Sequence, residues 1–220
     1  MKILGISDNE VNILYSPQIT DRFSDIDLIL SCGDLPFFYL EYIISMLNKP
    51  FYFVRGNHFY GGDPTIGLKQ ESIWEHTNLH RRVVDVNGML IAGIEGSVRY
   101  NRGPYQYSQD EMWQHVFHLV PQLLINKTKT DRYLDVFISH SPPWGIHDKE
   151  DLPHHGIKAF RWLIRVFKPR LHLHGHIHLL SQDEPRETRI NDTRVLNVYG
   201  YRIIDLLEMK SQEKKPVSQA

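Results

Sequence analysis

The sequence predicts an α/β fold with a mixed sheet, on two patterns. Short apolar runs of strand length alternate with amphipathic segments of helix length from residue 2 to about residue 205. Asn87-Gly88 stands between two strand runs and is the strongest short hairpin signal, so part of the sheet is antiparallel. A third observation bears on function. The strand runs end in clusters that contain Asp, Asn or His, and α/β folds bind ligands at the carboxyl ends of strands.

Lys2 to Ile6 is a buried strand that ends in Ser7-Asp8-Asn9-Glu10. Asp27 to Ser31 is a second and ends in Cys32-Gly33-Asp34. Pro36 suits the first turn of a helix, Phe37, Leu40, Ile43, Ile44 and Leu47 form its stripe, and Lys49-Pro50 stops it. Phe51 to Val54 is a third strand, ending in Arg55-Gly56-Asn57-His58. Val83 to Val86 and Met89 to Ala92 flank the Asn-Gly turn, and the glycine-spaced stretch from Gly93 to Gly103 is a loop.

Ser108 with Glu111 makes a capping box ahead of a helix carrying Met112, Val116 and Leu119, which Pro121 should kink or restart. Asp135 to Ile138 is a strand that runs into Ser139-His140-Ser141-Pro142-Pro143-Trp144-Gly145. Ile157 to Lys168 is a helix with Phe160, Leu163, Ile164 and Phe167 inward, stopped by Pro169. Strand-like runs at Arg194 to Val198 and Tyr201 to Leu207 follow, so residues 1–207 read as a single domain and 208–220 as a polar, disordered tail.

Bulk composition bounds the function classes. The chain has 220 residues, 41% hydrophobic and 23% charged, as in an ordinary globular protein. A formal net charge of -1 provides no general field for nucleic acid or anionic lipid. Cys32 is the single cysteine and cannot form an internal disulfide, which suits a reducing cytoplasm. The opening apolar run is too short for a signal peptide and no later run approaches a membrane span, so a cytoplasmic protein without membrane contact is expected.

Leu171 to Leu179, Leu-His-Leu-His-Gly-His-Ile-His-Leu, organises the functional reading. As a strand, Leu171 to His174 has one apolar face and one imidazole face. Gly175 would turn the chain sharply and present His176 and His178 from a loop. Imidazole is the commonest side-chain metal ligand; the alternative is a strand face of solvated or hydrogen-bonded histidines. Together the strand ends supply Asp8, Glu10, Asp34, Asn57, His140, His176 and His178. That mixture of oxygen and nitrogen donors suits two divalent ions about 3.5–4 Å apart, with the two oxygens of Asp34 able to bridge them.

The order Asp8-x-Glu10, Gly33-Asp34, Gly56-Asn57-His58, His140 within Ser-His-Ser-Pro-Pro, and Gly175-His176-x-His178 resembles the calcineurin-like metallophosphoesterases. The small prokaryotic phosphodiesterase-type members are the nearest in pattern, and the match spans about residues 1 to 205. The resemblance implies a four-layer α/β/β/α sandwich, two mixed sheets flanked by helices, with a dinuclear centre at one edge. It implies that Asp8 and His178 bind one ion, that Asn57, His140 and His176 bind the other, and that Asp34 bridges. His58 would be catalytic, protonating the leaving oxygen as a bridging hydroxide attacks phosphorus. The expected cofactors are two divalent ions, manganese first, with iron, zinc or magnesium as the other candidates.

Position 10 departs from the family, which carries Asp-x-His in its first motif. Glu10 is still an oxygen donor and is expected to contact the first ion. By count, two divalent ions are balanced by Asp8, Glu10, Asp34 and a bridging hydroxide, where a histidine at position 10 would leave one positive charge. The expected substrate is therefore a small phosphodiester in preference to a phosphomonoester; substrate-binding residues are not assigned. The rival reading is a binding or scaffold module on the same fold with a degraded site.

Weaker expectations attach to other residues. His172 and His174 either orient ligands or form a hydrogen-bonded strand face, and His154 and His155 either line the cleft or are solvated. Arg55 and Arg99 either hold phosphate or lie on the surface. Tyr100, Tyr105 and Tyr107 either shape the cleft or pack, and Cys32 is a small core residue.

Overall fold

The computed structural model describes residues 1–58, 74–179, 181 and 184–206. β1 (Lys2–Ser7), β2 (Leu28–Ser31) and β3 (Phe51–Phe53) are parallel neighbours. β12 (Gly200–Asp205) pairs antiparallel with β1, giving a sheet of order β12-β1-β2-β3. The second sheet contains β4 (Arg82–Val86), β5 (Met89–Ile94), β8 (Val136–Ser139), β9 (Leu171–His174), β10 (Glu187–Ile190) and β11 (Thr193–Asn197), in the order β10-β11-β9-β8-β5-β4. β5, β8, β9 and β11 run parallel, with an antiparallel strand at each edge. The Asn87-Gly88 hairpin joins β4 to β5, with Val86 opposite Met89, as its sequence requires.

The continuous apolar character of the strands follows from burial on both faces. Ile3, Leu28, Leu30, Ile91, Ile138, Leu171 and Leu173 meet between the sheets. Leu4, Ile6 and Ile29, on the alternate face, pack beneath α1 (Ile19–Arg22) and α2 (Phe37–Leu47). Ala92, Ile94 and Phe137 pack beneath α3 (Gln109–Thr130) and α4 (Lys158–Phe167). The architecture is thus helix, sheet, sheet, helix. Three apolar layers within one sandwich leave the strand ends as the place for polar chemistry.

Several local expectations need correction. α3 passes through Pro121 without restarting; Pro121 is exposed, so water reaches the carbonyl that its missing N–H leaves unpaired. The loop from Gly93 holds β6 (Ser97–Val98), paired with β7 (Gln106–Tyr107). The short α1 and the edge strand β10 carry too little periodicity to be found in advance. The polar tail expected at 208–220 lies outside the described residues. No helix among the described residues is long and apolar enough to cross a membrane.

Candidate metal centre

β1, β2, β3, β8 and β9 deliver their following loops to one edge of the sandwich. Three of those loops turn on a left-handed residue that is not glycine: Asp8 has φ 61°, Asp34 φ 54° and His176 φ 66°. Non-glycine residues are uncommon in that region, Asp and His among those that tolerate it best, and such conformations gather at functional sites. Gly175 serves a purpose other than the expected turn, since the left-handed residue is its neighbour His176. A Cβ at Gly175 would collide with Ser7 Oγ and Asp8 Oδ2. Gly56 is hemmed in likewise, with Asp34 Oδ1 occupying the space that a Cβ would need. Both glycines let one loop press its backbone against a neighbouring carboxylate.

Four side-chain atoms of the kinds that bind metal ions converge on one point. His140 Nε2 lies 3.1 Å from Asp34 Oδ2, 3.0 Å from Asn57 Oδ1 and 3.1 Å from His176 Nδ1. Asp34, His140 and His176 each offer a donor atom to an ion, all within 4.8 Å of one another. The far nitrogens fix the tautomers. His140 Nδ1 donates to the Cys32 carbonyl at 2.8 Å, and His176 Nε2 donates to the Pro153 carbonyl at 2.7 Å. Each ring therefore turns its other nitrogen inward, held by the kind of backbone anchor that orients metal-binding histidines.

Asp8 and His178 stand beside this group. Asp8 Oδ2 accepts from the His176 N–H at 2.9 Å and from the Ser7 hydroxyl, while Asp8 Oδ1 is buried and without a hydrogen bond. His178 Nε2 is 3.7 Å from that orphan oxygen, on a half-exposed ring. Glu10 is not brought in: it is exposed, in the loop that continues outward from Asp8. The His58 N–H donates to Asp34 Oδ1 at 2.8 Å, and its ring reaches outward to the Tyr100 hydroxyl.

The electrostatics favour a cation at the convergence point. Burial alone would lower His140, yet the carboxylates of Asp34 and Asp8 and the Cys32 carbonyl raise it to about 9. Burial raises Asp34, and the facing His140 outweighs it, so its carboxyl lies below the usual range. Burial and the neighbouring His140 push His176 down to about 3, leaving Nδ1 as an open lone pair. Asp8 raises His178. A buried pocket that holds an imidazole positive against desolvation, beside an unpaired carboxylate oxygen, fits divalent cations in its donor chemistry.

The calcineurin-like phosphoesterase family model matches residues 1–180. The chain belongs to this family. Among solved structures, TT1561 of Thermus thermophilus is 15% identical with a TM-score of 0.62, over 94% of this chain and 95% of that one. GAP50, described as the anchor in the inner membrane complex of Plasmodium, is 13% identical with a TM-score of 0.51, over 90% of this chain and 70% of that one. At such identities the likeness shows the shared fold. No curated protein matches the chain.

Within this calcineurin-like phosphoesterase, the structure decides between the alternatives open for several residues around the centre. Arg55 is partly buried and committed to Glu95 at 3.3 Å and Glu75 at 2.8 Å, and Arg99 pairs with Glu111 at 2.8 Å. Tyr107 donates to Glu95 at 2.8 Å, so Arg55, Tyr107 and Glu95 brace the Gly56-Asn57 loop from behind. His172 and His174 are buried and not solvated: His172 stacks on Phe137 and bonds Ser139 at 2.8 Å, and His174 bonds His147 at 2.8 Å. His154 lies beside His176, with ring centroids 5.4 Å apart, and pairs with Asp151. Cys32 is a core residue whose thiol burial pushes up, while its carbonyl anchors His140.

Tyr100 is the residue whose place sequence left open. Its hydroxyl accepts from Asn57 Nδ2 at 3.0 Å and meets His58 Nε2 at 3.1 Å. The Pro153 carbonyl was likewise invisible, because a backbone acceptor carries no signature in sequence.

Proposed function

We propose that this chain is a metal-dependent phosphoesterase that hydrolyses small phosphodiesters in preference to phosphomonoesters. The observation that carries the reading is the convergence of Asp34, Asn57, His140 and His176, with both imidazoles anchored through their far nitrogens. On this reading those four side chains hold one divalent ion. Asp8 and His178 would hold the other, the first ion of the motif order, with Asp34 shared and Glu10 turning toward that first ion when it is bound. Manganese is the expected metal. Divalent ions bound there supply Lewis-acid polarisation of phosphoryl oxygens and acidify a water for attack.

The protein's own contribution is positioning and proton transfer. The backbone of His58 is tied to Asp34 and its ring projects from the loop, at the rim of the cluster. An alkoxide leaves poorly unless a proton arrives as the bond breaks, and on this reading His58 delivers it. Asn57 couples the cluster to that histidine, with Oδ1 toward His140 and Nδ2 toward Tyr100. The net charge of -1 suits a small substrate in preference to a nucleic-acid polymer, and a cytoplasmic setting suits the single buried thiol.

The test is elemental analysis of the purified protein, then bis-p-nitrophenyl phosphate against p-nitrophenyl phosphate with added Mn²⁺. Bound metal with faster diester turnover is the expected result; absence of both metal and turnover rejects the reading. One observation favours a second reading, a binding module on the same fold. Glu10 is exposed, so the first ion has fewer donors at hand than the second. Metal bound at substoichiometric level with no turnover would select that module.

A further inference from the structure

All the parallel strands point their carboxyl ends at the metal edge, so the opposite edge gathers strand beginnings. There, a cavity of about 210 Å³ opens between the two sheets. Met1 and Leu206 line it from the first sheet, and Gly88, Arg132, Asp135 and Arg170 from the second. Asp135 and Arg170 immediately precede β8 and β9, and their backbones are joined by an Arg170 N–H to Asp135 carbonyl bond of 2.9 Å.

The two arginines are in different states. Arg132 is satisfied: Nη1 pairs with the Asp135 carboxylate, and Nη2 donates to the Gly88 carbonyl at 3.0 Å. Asp135 is in turn occupied by the Leu90 N–H at 2.9 Å. Arg170 has nothing comparable. Its Nη2 is buried without a hydrogen bond, and its guanidinium has no ion pair among the described residues. An arginine keeps its charge at any working pH, so half-burying it unpaired is costly unless something else supplies acceptors. Its planar fork matches the paired oxygens of a carboxylate or phosphate. With Arg132 paired to Asp135 and the Met1 amino group 3.9 Å from Asp27, Arg170 is the unpaired cation among the described residues that line the cavity.

We propose that this cavity at the amino-terminal edge of the sheets is a binding site for a small oxyanion, a phosphate or a carboxylate, held by the Arg170 guanidinium once its buried Nη2 turns toward the cavity to complete the fork. The ligand would tie Arg170 to a cavity whose walls come from both sheets, and so brace the sandwich at the end farthest from the metal loops. The inference is independent of the proposed catalytic activity.

The experiment is thermal melting of the full chain, chelator-treated so that the metal centre cannot hold phosphate. Inorganic phosphate and acetate are titrated separately against chloride at matched ionic strength. At about ten times the dissociation constant, binding to the native state raises Tm by about 3–6 °C for a chain of this size. Arg170→Met should abolish the shift while melting no lower than the parent without anion, since it removes an unpaired charge. Arg170→Lys keeps the charge but lacks the fork, and should need about tenfold more ligand in calorimetric titration. Response to either anion through Arg170 supports the site, and the tighter of the two identifies its source. An unchanged shift in Arg170→Met overturns the proposal, as does an equal response to chloride or none in the parent. If Arg170→Met fails to fold, equal affinities of Arg170→Lys and the parent overturn it instead.

Discussion

The hydroxyl of Tyr100 stands 3.1 Å from Nε2 of His58. The same oxygen accepts from Asn57 Nδ2 at 3.0 Å, and the tautomer of His58 decides which partner donates in the second bond. In the tautomer where Tyr100 donates, Nε2 of His58 is the acceptor and the proton available to a leaving group sits on Nδ1. Tyr100 thus positions the proposed acid and meets the cluster only through Asn57 Nδ2, not through the Oδ1 that faces His140. One neutral hydrogen bond contributes about 0.5–1.5 kcal/mol, so Tyr100→Phe should lower kcat roughly two- to tenfold with metal content unchanged. In a His58→Ala background the same change should cost nothing more. Additive losses would show that Tyr100 acts elsewhere.

His58→Ala itself should keep its metal and lose about 10² to 10⁴ in turnover on alkyl phosphodiesters. The loss should shrink for nitrophenolate leaving groups, which depart without a proton. Steady-state kinetics on paired substrates with the two leaving groups check this. Equal losses on both would remove His58 from the role of acid.

Metal and stability should be coupled. Asp8 Oδ1 is buried and unpaired, and Asp34 faces an imidazole that its own field keeps charged. Chelation should lower Tm, and Mn²⁺ should restore it by binding linkage. Asp34→Ala should lose metal by elemental analysis as well as activity. A Tm indifferent to chelator would mean that the cluster holds no ion in the native protein.

Much of this centre was legible because each donor closes a strand. The runs ending at Asp8, Asp34, Asn57, His140 and His176 are short, apolar and separated by helices, so topology alone gathers them. What was not legible depends on partners far away in sequence or on backbone atoms. Arg55 is paired with residues 20 and 40 positions away, and nothing near it distinguishes a committed arginine from a free one. The anchoring of His176 by the Pro153 carbonyl belongs to the same class. His172 was ambiguous because strand alternation says which face it takes, not whether a helix covers that face. α4 and Phe137 do cover it, with Phe160 at 6.4 Å and Phe137 at 4.8 Å between ring centroids.

That burial sets an acid limit on stability. Burial, with His147 nearby, pushes His172 down to about 3, and burial with its cationic neighbours does the same for His80. Each is neutral in the folded chain, while the unfolded chain takes up a proton below about 6.5. Stability from these groups is therefore intact above about pH 6.5 and lost progressively down to about pH 3. The slope is about 1.4 kcal/mol per pH unit for each group. Urea melts between pH 7 and 4, with chelator present throughout, should show a shallower dependence in His172→Leu than in the parent. Parallel curves would mean that His172 takes up its proton alike in the folded and unfolded chain.

Glu10 is where the chain leaves its family's pattern, and where substrate charge preference can be tested. Glu10→His restores the common first motif and replaces one negative charge with a neutral donor. The side chain is exposed, so its Coulomb contribution is screened to the order of ~1 kcal/mol at contact distances. A dianionic monoester feels the removed charge more than a monoanionic diester does. The ratio of monoester to diester kcat/KM should therefore rise in Glu10→His, by roughly fivefold for ~1 kcal/mol recovered. The comparison must be made at matched metal occupancy, because the new imidazole also adds a donor for the first ion. Elemental analysis sets the occupancy, and the two nitrophenyl esters give the ratio. A ratio that stays flat at equal occupancy would show that an exposed Glu10 does not bias the site toward diesters, and the preference would have to be sought in the cleft walls.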